Sequence, residues 1–321
     1  MMPDADFRWQ TRDRVNAFYS GHSLSDGIPE AVAKIAAARG QTLQFGVQSQ
    51  PYSLLRERTG DDGPSELDHP SRLPPGLRYD ALVVTERHDL PFAAAREGTA
   101  THLADIARRA LRGNPDANVF FYHTWLAIDR TAPQPWIAYE RNAQRLWECV
   151  ASRANLDLAL PSPRIRVLPG GAALTRLVEN LWNGSVPDLE QMSPAARVGL
   201  LFADNVHLSA VGRAYMGMLH YSVLFGQIPA GSPPVAPLTD RAKVYLEQLA
   251  YDEATSYAKV ANAGAQRNLE ACREFAVEMC SAGNALPPLG WQDRLKRPYK
   301  TWACRRTFVD AHAEGNPFRR P

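Results

Sequence analysis

The chain reads as an α/β protein: a parallel sheet with helices on both faces, followed by a helical C-terminal extension. Three observations predict this. Short β-type runs alternate with helical patterns over the first 226 residues, giving five strands separated by helices. The run Tyr79-Asp80-Ala81-Leu82-Val83-Val84-Thr85 is almost continuously apolar at its centre, as a strand covered on both faces must be. The alternation ends at Gly226, and a Pro-rich strip separates it from a purely helical pattern.

In order, residues 15–19 read as the first strand and residues 20–27 as a turn. A helix over 28–39 follows, with Pro29 in its first turn, where the missing N–H costs nothing, and Gly40 just past its end. Residues 42–47 are the second strand. Residues 59–76, rich in Gly, Pro, Asp and Ser, form a surface loop. After the third strand, a helix over 101–112 stops at Gly113-Asn114-Pro115, and residues 118–122 are the fourth strand. A long helix follows Pro135, with Trp136, Tyr139, Ala143, Leu146, Trp147 and Val150 at three- to four-residue spacing. A fifth strand spans 164–168, and helices span 172–182 and 210–225. This divides the chain into an α/β domain (1–228), a linker (229–239) and an extension (240–321). In the extension, 240–282 reads as continuous helix and the last 35 residues as irregular and basic.

The composition, 45% hydrophobic and 22% charged over 321 residues, is that of an ordinary globular protein. A net charge of +2 provides no overall field for nucleic acid. The charge is uneven, because residues 291–321 hold eight Lys/Arg against three acids; the tail is therefore +5 and the remainder −3. The plain reading of that tail is a solvated terminus. No stretch approaches the ~20 apolar residues of a transmembrane helix, so no membrane partner is expected. Met1-Met2-Pro3-Asp4-Ala5-Asp6 has no basic or apolar leader pattern; the chain is cytoplasmic as it reads, or exported if processed. Of the four cysteines, Cys272, Cys280 and Cys304 lie close enough to leave room for one bridge. No Cys/His set has zinc-ligand spacing, and no metal site is expected.

In a parallel α/β sheet, reactive groups gather at the carboxyl ends of the strands. Gly21-His22-Ser23-Leu24-Ser25 caps the first strand, and its glycine permits the sharp turn that presents a Ser hydroxyl. A hydroxyl needs a base, and Asp204-Asn205-Val206-His207 offers one before the last helix of the α/β unit. A three-residue offset across a turn lets the carboxylate hold Nδ1–H while Nε2 faces Ser23.

The first of these segments resembles the first block of SGNH (GDSL-like) serine hydrolases. Asp204-Asn205-Val206-His207-Leu208-Ser209 resembles their last block, including the Leu-Ser that opens the final helix. Val83-Val84-Thr85-Glu86-Arg87 and Tyr122-His123-Thr124-Trp125 resemble segments of a divergent bacterial branch, and the likeness covers residues 14–226. It implies a flavodoxin-like three-layer α/β/α fold. It also implies ester hydrolysis, often of acyl groups on carbohydrates, without metal or organic cofactor. Ser23 would be the nucleophile, His207 the base and Asp204 its orienting carboxylate.

The middle blocks depart from the family. His22 stands where the family has Asp, and Thr85-Glu86-Arg87-His88 lacks the Asn that donates to the oxyanion. Losing one such donor costs about 10²–10³ in rate. Arg87, as a charge, and His88, as a neutral N–H, are the substitutes the stretch offers, beside the Ser23 backbone N–H. The second-block donor is Gly46, or Ser49 takes its place. Glu86 is either substrate-facing or an exposed carboxylate at a strand end. His123 and Trp125 lie past the fourth strand on the same edge, with Trp125 either stacking on a sugar or closing the core. The leading expectation is an esterase for a small acyl ester. The alternatives are a binding or assembly protein with an impaired site, or an O-acyltransferase. The helix of the extension packs on the α/β domain or on a second subunit.

Overall fold

A computed structural model describes residues 11–60, 63–67, 77–263, 268–288 and 290–319. The leader expectation, and most of the loop expected over 59–76, lie outside them.

Five parallel strands form one sheet: β1 (Arg14–Gly21), β2 (Thr42–Ser49), β3 (Ala81–Val84), β4 (Asn118–Tyr122) and β5 (Ile165–Leu168). Their order, β2-β1-β3-β4-β5, is that of flavodoxin-like doubly wound sheets. β3 is buried at every residue because helices cover both faces. The helices of this unit are α1 (Ile28–Ala38), α2 (Leu90–Arg96), α3 (Thr99–Gly113), α4 (Gln134–Leu158), α5 (Gly170–Trp182), α6 (Pro194–Gly199) and α7 (Ala210–Phe225). The chain runs from β1 out to β2 and then back across to β4 and β5. Right-handed crossovers therefore put α1 on one face and α3 and α4 on the other. α1 packs on α7, and α3 on α4, which completes a three-layer α/β/α arrangement.

The order has a functional consequence. β1 and β3 are adjacent, and the chain leaves them in opposite directions, so a crevice opens beyond their carboxyl ends. β1 ends at Gly21 because the chain must fold back on itself there. A Cβ at Gly21 would lie 2.2 Å from the Ser25 hydroxyl oxygen.

The extension differs from expectation in three ways. In place of one continuous helix the described residues form two, α8 (Asp240–Ala263) and α9 (Leu269–Ala282). The break has a local cause: the Asn268 side chain accepts the Glu270 N–H and starts a new helix. It also has a tertiary one, since α8 packs on α7 and α9 on α4. The expected irregular tail contains a 19-residue helix, α10 (Trp291–Val309), with Pro298 inside it. Its charge and proline hid it, while its inner residues Ala303, Cys304, Thr307 and Phe308 are buried. Finally, there are two disulfides instead of one. Cys149 on α4 bridges to Cys272 on α9, and Cys280 on α9 to Cys304 on α10. The expectation had overlooked Cys149, which lies in the buried stripe of α4. Helices α9 and α10 are thus fastened to the α/β body and rest against α4 and α2.

Candidate active site

Ser23 sits in the tight turn after β1. Its shape is held by His22, whose carbonyl accepts the Ser25 N–H at 2.8 Å and the Ser25 hydroxyl at 2.7 Å. The His22 ring is buried and lies with Nε2 3.1 Å from the Glu86 carbonyl oxygen, so Nε2 carries the proton. Burial, with repulsion from the neighbouring His88, pushes its pKa down to about 3. His22 is therefore a neutral strut between the β1 and β3 loops.

His207 lies in the loop between α6 and α7. Its Nδ1 is 2.7 Å from Asp204 Oδ2, and its Nε2 is 3.1 Å from Ser23 Oγ. Asp204 Oδ1 accepts the backbone N–H groups of Val206 and His207, each at 2.7 Å. This D-x-x-H turn fixes the carboxylate by its own backbone before it meets the imidazole. Burial pulls the Asp204 pKa upward, but those hydrogen bonds and the His207 ring outweigh it and leave the carboxyl below its ordinary range. Asp204 is an anion at neutral pH, Nδ1 donates to it, and Nε2 is left to accept from Ser23.

The loop is clamped from several sides. Phe202 and Leu208 form an antiparallel bridge, and the Ser209 side chain caps α7 through the N–H groups of Val211 and Gly212. The segment after β4 completes the clamp: Trp125 Nε1 donates to the Val206 carbonyl at 2.9 Å, and Ile128 N–H to that of Asn205 at 2.8 Å. Trp125 is fully buried, which settles its two readings in favour of the core. It braces the His207 loop and has no face free for a sugar.

Of three other expected contact residues, two are buried and the third lies mid-strand, away from the carboxyl edge. Glu86 is fully buried; its carboxylate accepts N–H groups from Leu55 at 3.0 Å and Arg87 at 2.7 Å, and the Thr99 hydroxyl at 2.8 Å. Burial raises its pKa against the pull of these bonds and of Arg58. His123 is buried with Nε2 3.3 Å from Glu140 Oε2 and its ring against Trp147. Gly46 lies mid-strand opposite Phe18, and a Cβ there would fall 2.5 Å from the Tyr79 hydroxyl. It is glycine because Tyr79 crosses it.

The remaining candidates stay at the edge. Ser49 is exposed and donates to Asp26 at 2.6 Å. The Arg87 guanidinium is paired at 2.5 Å with Asp89, which Lys300 also meets at 3.1 Å, so Arg87 is already engaged. The half-buried His88 has its ring centroid 6.3 Å from that of His22. Burial and nearby cations keep His88 neutral against the pull of Asp89. Among the described residues the Ser23 N–H has no acceptor, which leaves it available to a ligand.

Sequence reasoning missed two residues that support the site. Arg58 is fully buried; it donates to the Ser20 hydroxyl at 2.9 Å and to the Thr85 carbonyl. Burial lowers its pKa to about 10 against the attraction of Glu86. Nothing in the sequence marks it. Glu140 was detectable, because it falls one turn after Trp136 on the apolar stripe of α4. Besides holding His123, it accepts the Leu126 N–H at 2.7 Å and so shapes the loop that carries Trp125.

A cavity of about 650 Å³, counting its open mouth, lies between this edge of the sheet and the C-terminal arm. His88, Phe92 and Leu126 line it from the α/β body, and Leu286, Arg297 and Lys300 from the arm. Ser23 is not on its wall, but His88 is.

Fold and site together define an α/β protein of flavodoxin-like strand order with a Ser–His–Asp hydrogen-bonded series at the carboxyl edge of its sheet. The chain matches no family profile, and no curated protein sequence is similar to it. Its fold is similar to the crystal structure of a DUF4886 family protein from Bacteroides uniformis ATCC 8492. The TM-score is 0.51 at 15% sequence identity, over 76% of this chain and 96% of that one. At this identity the likeness speaks for the fold alone.

Proposed function

We propose that the chain is a serine ester hydrolase of the SGNH type, acting on a small acyl ester such as an O-acetylated carbohydrate. The observation that carries the reading is the unbroken series Asp204–His207–Ser23, with steps of 2.7 and 3.1 Å. In this mechanism Ser23 Oγ attacks the ester carbonyl while His207 Nε2 takes its proton. His207 returns that proton to the departing alcohol. A water then repeats the sequence on the acyl-enzyme, releasing the acid and restoring Ser23. Asp204, ionised and held by two backbone N–H groups, keeps the imidazole in the Nδ1–H tautomer and stabilises the imidazolium. The unpaired Ser23 N–H and the neutral His88 ring are the donors assigned to the oxyanion.

One observation favours a second reading, a binding protein with an impaired site. Glu86 and Arg87 are engaged elsewhere, which leaves the third loop only His88 for the task of the family's Asn. Hydrolysis of p-nitrophenyl acetate separates the two. The hydrolase reading expects turnover that Ser23→Ala and His207→Ala each abolish; turnover unaffected by both, or absent in the wild type, refutes it. Product analysis with an alcohol acceptor present would expose acyl transfer.

A further inference from the structure

Helix α10 has two unlike faces. Its inner face carries Ala303, Cys304, Thr307 and Phe308 against the body, and turns Asp293, Arg297 and Lys300 toward the cavity. On its outer face, Trp291 and Leu295 are 71% and 70% exposed, and Tyr299 and Trp302 are more than half exposed. At 100° per residue these four fall within one narrow stripe, opposite the buried face. Large apolar side chains clustered this way on a surface helix mark an interaction surface, whereas scattered ones do not.

The charges say what kind. Arg294, Lys296 and Arg305 are exposed on the two sides of the stripe and Arg306 is exposed within it, and among the described residues none of the four is paired with a carboxylate. Arg306 lies 5.4 Å over the Trp302 ring, keeping cation and aromatic face together at the surface. The one acid of the helix, Asp293, is turned inward to Arg297 and Lys300. A symmetric contact with a second copy would set these four cations against the same four. An anionic surface that admits aromatic rings at its boundary meets both features.

We propose that the outer face of α10 docks the protein on an anionic lipid bilayer. Trp291, Leu295, Tyr299 and Trp302 enter the headgroup region, and the four cations lie among the phosphates. The helix lies in the plane of the interface. Among the described residues, no helix is long and apolar enough to cross a membrane. The two disulfides hold α9 and α10 to the body, so the docking face is rigid and is presented beside the cavity. The proposal departs from two expectations, a merely solvated basic tail and no membrane partner.

Co-sedimentation of the full, oxidised chain with lipid vesicles tests the proposal. The expected result is binding to vesicles of phosphatidylcholine and phosphatidylglycerol, none to phosphatidylcholine alone, and release by salt. Each cation removed among Arg294, Lys296, Arg305 and Arg306 should weaken partition about five-fold. Trp291→Ser/Leu295→Ser/Trp302→Ser, at exposed positions that leave the fold alone, should abolish it. Two results overturn the proposal: no binding to the anionic vesicles, or light scattering that shows a dimer which the same triple variant converts to monomer.

Discussion

Trp125→Phe separates bracing from contact more sharply than any substitution inside the site. The indole N–H donates to the Val206 carbonyl at 2.9 Å from a fully buried position, and Val206 is itself buried. Phe keeps most of the ring volume but leaves that carbonyl without a partner, a penalty of about 1–3 kcal/mol. Val206 adjoins His207, and its own N–H binds Asp204, so the slack falls on His207 and Asp204. A displacement approaching 1 Å at a catalytic contact costs about 10²-fold, so a ten- to hundred-fold slower reaction at Ser23 is expected. Tyr215→Phe is the control. It deletes a buried hydroxyl bonded to the Ala173 carbonyl at 3.2 Å, between α7 and α5, and should cost about 1 kcal/mol. The assays are urea unfolding and the rate of Ser23 modification by a fluorophosphonate, under conditions where both variants are folded. If Trp125→Phe is destabilised yet reacts at the wild-type rate, or if Tyr215→Phe slows the reaction equally, the bracing role is wrong.

Acid should destabilise the fold through its buried neutral histidines. His22 and His220 have folded pKa values of about 3, below their unfolded value of about 6.5. The unfolded chain therefore binds more protons between those limits; the stability is present above about pH 6.5 and is lost as pH falls toward 3. Each histidine contributes a slope of about 1 kcal/mol per pH unit there, which melting curves across that range would reveal. Replacing His220 with Gln should flatten the slope, and an unchanged slope would count against this account. Reduction should weaken the arm: in the chain-entropy view, bridges closing 123 and 24 residues are worth about 5 and about 3.5 kcal/mol. Cys149→Ser/Cys272→Ser and Cys280→Ser/Cys304→Ser should each lower the melting temperature in non-reducing buffer. Identical melting of wild type with and without reductant would show that the bridges do not form.

The α/β body was legible because its signals are local. Apolar strand centres, Pro29 at a helix start and the serine cap of α7 each act within a few residues. The turns that bring Ser23, His207 and Asp204 within hydrogen-bond reach were legible for the same reason, since each is closed by its own backbone. His123 and Glu86 were misread, and Trp125 was left between two readings, because a residue just past a strand on that edge can face the crevice or the core. Only packing decides between these, and Glu140 and Val206 are far from their partners in the chain. Arg58 left no trace, because its partners Ser20 and Thr85 lie on two other elements. α10 was hidden by the very features that define it: basic residues and outward aromatics do not make the inward stripe by which a helix is recognised.

On the proposed reading, Asp204 and His207 activate Ser23 Oγ as a nucleophile. Intact-mass analysis after fluorophosphonate treatment, followed by peptide mapping, tests it most directly. One covalent adduct per chain is expected, located on Ser23, absent in Ser23→Ala and strongly reduced in His207→Ala. No adduct on the folded wild-type chain, or an adduct that persists in Ser23→Ala, would contradict it.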